Sequence, residues 1–143
     1  MHFNAFAVYS ARVGVTADVT PETQNSDYES GVARIDEGVW HIRTARNTPP
    51  EPGAFVAFWQ RDADGKTAPF SDDDSAEALL VFVERGDRRG VFQFTSAHLT
   101  ALGIMSGRRP GKRGFRMYPS WCAGLNAQAA TTQRAQAPAF REF

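Results

Sequence analysis

The chain has 143 residues, 42% of them hydrophobic, and its 16 basic and 16 acidic side chains cancel to a formal charge of zero. That length suits one domain spanning residues 1–143, able to bury roughly two-thirds of its unfolded surface without staples; the single cysteine, Cys122, excludes an internal disulfide and any cysteine-based zinc cluster. No run of 18 apolar residues occurs and no charged start precedes a long apolar stretch, so neither a membrane span nor a secretory signal is expected, and a cytoplasmic location is the default.

Residues 1–19 are mildly apolar through Phe3, Phe6, Val8, Val13 and Val15, which fits a short helix ending near Gly14 or a strand. Residues 20–27 (TPETQNSD) are polar with a proline and predict a loop. Residues 28–35 and 39–45 flank the connector Asp36-Glu37-Gly38 and predict a β-hairpin. In its second strand Trp40 and Ile42 face the core, while His41, Arg43 and Ala45 point the other way. The three prolines of residues 47–53 (NTPPEPG) forbid helix or inner strand. Residues 54–61 (AFVAFWQR) are apolar on both alternating faces, the pattern of a central strand buried on two sides.

Asp62-Ala63-Asp64-Gly65 is a turn. Its glycine sits too early for a calcium loop, and no glutamate closes twelve residues. Residues 71–75 (SDDDS) form an acidic loop that solubilises or caps more readily than it binds metal. His2, His41 and His98 share no metal-ligand spacing. Residues 77–84 and 90–94, joined by RGDRRG, predict a second hairpin. Thr95 or Ser96 caps a helix over 97–102, closed by Gly103. Residues 126–137, rich in alanine and glutamine, predict a helix stopped by Pro138, and residues 138–143 a tail docking through Phe140 or Phe143. Nucleophile elbow, phosphate loop, dinucleotide fingerprint and paired zinc histidines are all absent, and no cofactor is expected.

The neutral total conceals a polarity. Residues 1–87 hold 7 basic and 15 acidic side chains, whereas residues 88–143 hold 9 basic and 1 acidic. If the halves do not interleave, the molecule is bipolar with a positive end for an anionic partner; if they do, the charges neutralise internally. Arg108, Arg109, Lys112, Arg113 and Arg116 fall within ten residues, uninterrupted by an acid. Gly107, Pro110, Gly111 and Gly114 make the first half of this run a turn-rich loop. From Gly114 to Tyr118 the pattern alternates, sending Phe115 and Met117 to one face and Arg116 and Tyr118 to the other, before Pro119 and Trp121. Guanidinium groups clamp phosphate oxygens and aromatic rings stack on bases, so the mixture points to nucleic acid; a solvated basic loop with core aromatics is the plainer alternative.

Several stretches together resemble the MepB-like family of small bacterial proteins: QNSDYES at 24–30, RTARNTP at 43–49, GAFVAFWQR at 53–61, APF at 68–70, GVFQF at 90–94, LGIMS at 102–106, GKRGFRMYPSW at 111–121 and TQRAQAPAF at the end. The resemblance spans about residues 22–140, leaving 1–21 as a variable N-terminal segment. Glu51 stands where the family has a second lysine and Ala135 where it has a tryptophan. The resemblance implies an α/β (α+β) domain, with a mixed, mostly antiparallel central sheet flanked by a few helices and a core looking like that of restriction endonucleases, and a positively charged groove for nucleic acid. The carboxylate-any-lysine element of such nucleases is missing.

The expected function is therefore non-catalytic binding of nucleic acid, single strands in preference to duplex, and no membrane partner is expected. Lys112, Arg113 and Arg116 would neutralise phosphates, with Arg43, Arg46 and Arg61 extending the track and Tyr118 or Trp121 stacking bases. The alternatives are a divergent metal-dependent nuclease using Glu29 with Asp72 or Asp73, and an accessory protein that binds an anionic small molecule or a protein.

Overall fold

A computed structural model describes residues 3–143. Met1 and His2, the start of the expected N-terminal segment, lie outside the described residues. Helix α1 (Asn4–Val13) ends where Gly14 takes a left-handed conformation (φ 74°), and the chain then enters β1 (Ala17–Pro21), so residues 1–19 supply both a helix and a strand. Residues 20 and 21, expected in a loop, still pair with β2 (Gly31–Ile35). Proline is tolerated there because β1 is an edge strand and Pro21 its last residue. The hairpin of β2 with β3 (Gly38–Thr44) forms as its acidic connector predicts.

After β3 the chain leaves the main sheet. It makes β4 (Arg46–Asn47) and β5 (Ala54–Ala57) of a second, small sheet, then the hairpin of β6 (Gln60–Arg61) and β7 (Thr67–Ala68), and returns as β8 (Ala78–Arg85), parallel to β3. β8 turns at Gly86-Asp87 into β9 (Arg88–Thr95), a tighter connection than RGDRRG suggested, with Arg85 opposite Arg88. Helix α2 (Ser96–Ala101) follows, its first turn capped by the Thr95 hydroxyl, which accepts the His98 N–H at 3.1 Å. β10 (Gly114–Met117) joins the small sheet, helix α3 (Ala127–Gln136) starts at the Asn126 cap, and the tail forms β11 (Phe140–Glu142) on the edge of β9. The main sheet runs β1-β2-β3-β8-β9-β11, antiparallel except for β3 and β8, and the small one β10-β5-β4. This is the mixed α+β single domain, mostly antiparallel with few helices, that the resemblance implies.

The strand buried on both sides is β8, not residues 54–61. Leu79, Val81 and Val83 share a core with the small sheet's Val56, Phe115 and Met117, while Leu80 and Phe82 meet Phe6 of α1 with Ile42 and Val91. Six consecutive buried residues are the signature of an interior strand covered on two faces. Residues 54–61 break up instead: Ala54, Val56 and Phe58 enter the core, Phe55 and Ala57 are half-buried on the outer face, and after the Phe58 N–H has donated to the Arg113 carbonyl the strand breaks at Trp59 before β6. Their apolar residues on the second alternation cover an outer face rather than a second core.

The C-terminal segment docks although Ala135 stands where a tryptophan was expected. Phe140 packs on Trp121 and Phe92, and Phe143 on Tyr9 and Phe82. The two halves of opposite charge interleave, since β8 lies beside β9 and β5 beside β10. Arg89 pairs with Glu84 at 2.6 Å across the second hairpin, so part of the polarity is cancelled internally. Among the described residues no helix is long and apolar enough to cross a membrane.

Candidate nucleic-acid interface

The small sheet brings one exposed and one half-buried arginine into register. In its register Arg116 of β10 lies directly opposite Phe55 of β5, and Phe55 lies opposite Arg46 of β4. Directly paired residues share a face, so one row reads Arg46, Phe55, Arg116, with the two arginine backbones roughly 10 Å apart across two strand spacings. Phe55 lies across its neighbour strand because Gly114 leaves room: a Cβ there would come within 2.6 Å of the tip of the ring. Tyr28 meets Phe55 edge-on at 6.4 Å between centroids, adding a second ring beside the row. The opposite face of the sheet, through Ala54, Val56, Phe115 and Met117, is sealed into the core.

Arg116 is half-buried and held. Its Nη1 donates to the Pro52 carbonyl at 3.1 Å and its Nη2 to the Thr48 hydroxyl at 2.8 Å, with the Glu51 carboxylate 3.4 Å away. Glu51 is 67% exposed, so that ion pair is screened by water and worth little. Arg46 is exposed and, among the described residues, makes no ion pair. Lys112 and Arg113 precede the strand and are exposed. Their loop is pinned from within: the Lys112 N–H donates to the Ile104 carbonyl and the Gly111 N–H to the Ser106 hydroxyl, and a Cβ on Gly111 would stand 2.3 Å from the Ile104 oxygen. Arg113 reaches Thr67 of β7 through Nε and Nη2, fastening that hairpin to β10. Arg61, on β6, donates to the Gly65 carbonyl and stacks over Trp59 with its guanidinium carbon 5.2 Å from the ring centroid.

Arg43 is a correction. It is 0% exposed, on the core side of β3, and cannot reach a strand of nucleic acid. Its Nη1 donates to Glu22 Oε1 at 2.6 Å and to its neighbour's carbonyl, Nη2 to Asn25 Oδ1 at 3.1 Å, and its guanidinium lies over Phe58. His41, also buried, stands between the carboxylates of Glu22 (3.4 Å) and Asp74 (3.3 Å). Burial pushes the Glu22 pKa up, but the hydrogen bond from His41 and the charge and hydrogen bond of Arg43 outweigh it and hold the carboxyl below its ordinary range. Burial lowers Arg43 in turn, against the pull of Glu22. The face opposite Trp40 and Ile42, read as lying away from the core, is thus a second core surface.

The two expected stacking aromatics lie apart. Tyr118 follows β10 and lies against Gly53, where a Cβ would come within 2.8 Å of its ring. Trp121 is half-buried: Phe140 meets it edge-on at 5.5 Å and Arg88 covers it at 5.1 Å, and it borders a separate cleft of about 380 Å³ with Pro49, Pro50 and Arg85. Sequence reasoning passed over Phe55 and Tyr28, whose placement only strand register reveals. It also passed over Gln136, which is 2% exposed. The Gln136 amide donates to the Arg116 carbonyl at 2.9 Å and accepts the Tyr118 N–H at 3.0 Å, acting as a one-residue substitute strand on the free edge of β10. Nothing in the sequence singled it out, since α3 holds three glutamines and only the structure shows which one is buried. Among the described residues, no group of three or more His, Cys, Asp or Glu is arranged to hold a metal ion, Glu29, Asp72 and Asp73 included.

The family model described as MepB-like matches residues 22–142. The crystal structure of MepB superposes with a TM-score of 0.87 at 30% sequence identity, covering 99% of this chain and 97% of that one. No curated protein matches. A family match over most of the chain, joined to full-length agreement of fold, shows that the chain belongs to the MepB-like family.

Proposed function

We propose that the chain binds single-stranded nucleic acid across the outer face of the small sheet, without cutting it. The observation that carries this reading is the cross-strand row Arg46–Phe55–Arg116: a ring between two guanidinium-bearing residues on a rigid element backed by the core. Rings stack on any base and cations follow the backbone, so such a platform binds without a strong sequence preference. Lys112, Arg113 and Arg61 lengthen the cationic track, while Arg43 takes no part. Binding is favoured over cleavage because the described carboxylates gather no ion-holding group, and two-metal cleavage needs one.

The test is an anisotropy titration of short single-stranded oligonucleotides at several salt concentrations. Affinity should fall steeply with salt. Phe55→Leu, which keeps an apolar side chain over Gly114, should weaken binding by about 1–3 kcal/mol while the melting temperature stays close to that of the parent. Binding that is indifferent to salt and to Phe55→Leu would remove the proposal.

A further inference from the structure

Along the free edge of β10, between that strand and α3, runs a groove of about 370 Å³, within the roughly 300–1,000 Å³ range of ligand sites. Its floor is apolar, from Leu102, Ile104 and Phe115, and Tyr118 borders one side. The helical wall is thinned by Ala129 and Ala135, leaving a slot where larger side chains would close it. Polar groups sit along the same wall. Asn126 uses its oxygen to accept the Ala129 N–H, which leaves its amide nitrogen as a donor. Thr132 gives its proton to the Gln128 carbonyl, which leaves its oxygen as an acceptor. Gln128 adds an exposed amide at the rim. Among the described residues, the charged groups lining the groove are Lys112 and Arg116, both cationic, and the nearest carboxylate partner, Glu51, stands 3.4 Å from Arg116 outside the lining.

An apolar slot edged by donors and acceptors suits a flat heterocycle, and the exposed Lys112 at its border suits the phosphate attached to it, while Arg116 shares its guanidinium with Pro52, Thr48 and the exposed Glu51. We infer that this groove receives one unstacked nucleobase with its phosphate. The inference rests on the single-strand reading above and deepens it, because Arg116 belongs both to the platform row and to the groove lining. A strand crossing Arg46, Phe55 and Arg116 leaves the sheet at β10, where the groove lies, and its next base turns in beside Tyr118. Lys112 then meets the phosphate at that bend.

The test uses the full chain, with adenosine 5′-monophosphate, ribose 5-phosphate and inorganic phosphate titrated at millimolar concentration and followed by NMR chemical shifts of α3 and β10. The nucleotide should shift these signals saturably and the two base-free phosphates should bind at least about tenfold more weakly, one stacked base's worth of affinity. Ala135→Trp, at an exposed helical position that can accept a large ring without disturbing the core, fills the slot and should abolish the nucleotide shifts. Thr132→Val, which keeps the shape and removes the acceptor, should weaken them severalfold. Equal response to nucleotide and ribose 5-phosphate, no response to any of the three, or nucleotide shifts that persist in Ala135→Trp would overturn the groove. Oligonucleotide binding measured alongside separates the two readings. Retained salt-dependent binding with no nucleotide response leaves the platform standing alone, and nucleotide shifts lost in Ala135→Trp without oligonucleotide binding leave the groove standing alone.

Discussion

Arg43 and Arg46 are three residues apart and meet opposite fates. Arg43, on β3, is wholly buried beneath Phe58 and held by Glu22 and Asn25. Arg46, one strand later, lies exposed in a row with Phe55 and Arg116. What separates them is the exit from the main sheet at Ala45, after which the chain begins a second sheet whose outer face is not covered by a core. Closeness along the chain therefore says little about whether two cations serve one surface; the sheet each strand joins decides it.

That contrast can be broken experimentally, starting at its buried end. Arg43→Met leaves the mostly buried Glu22 carboxylate with His41 as its remaining ion-pair partner, and should cost about 3–5 kcal/mol of stability, read as a lower urea midpoint with an unchanged slope. A loss below about 1 kcal/mol would mean that Glu22 finds water or a proton instead. Phe55→Leu, on the exposed row, should do the reverse and lower oligonucleotide affinity with little change in unfolding.

The acid limb of stability gives a smaller effect. Glu22 ionises more readily folded than unfolded, so its contribution is complete above the ordinary glutamate value of 4.5 and drains away as pH falls from there through the lowered folded value. Glu22→Gln should flatten that part of a stability-against-pH curve. An acid limb as steep as the parent's would move the titration to another group. Smallest of all, Arg46→Ala and Lys112→Ala should each reduce the salt slope of oligonucleotide binding by about one unit, with stability changed by no more than about 0.5 kcal/mol. If instead Arg46→Ala unfolds the protein, Arg46 holds the fold together as Arg43 does and the contrast between them collapses.

Much of the scaffold could be read before any coordinates, for local reasons. Both hairpins announce themselves through turn residues between apolar strands, α2 and α3 through their Thr95 and Asn126 caps, and β10 through the alternation of Phe115 and Met117 with Arg116 and Tyr118. The errors arise where distant partners decide. Glu22 lies 21 residues before Arg43, and nothing nearby announces that the two will form a largely buried ion pair. In residues 54–58 apolar side chains occupy both alternations, so periodicity could not tell that Phe55 faces outward while Val56 faces in. β11 is only three residues long and exists because β9 offers it an edge. The candidate interface was half legible: its cations on β10 and β4 were recognised, whereas its central ring came only from the register of β5.

Strands with unsatisfied backbone along one margin invite a neighbouring molecule to add its own, and continued addition ends in aggregates. Gln136 answers that risk on β10 with a single amide that occupies both the Arg116 carbonyl and the Tyr118 N–H. The helix it belongs to thereby serves as a stopper at this margin of the small sheet, through a residue that bears no charge.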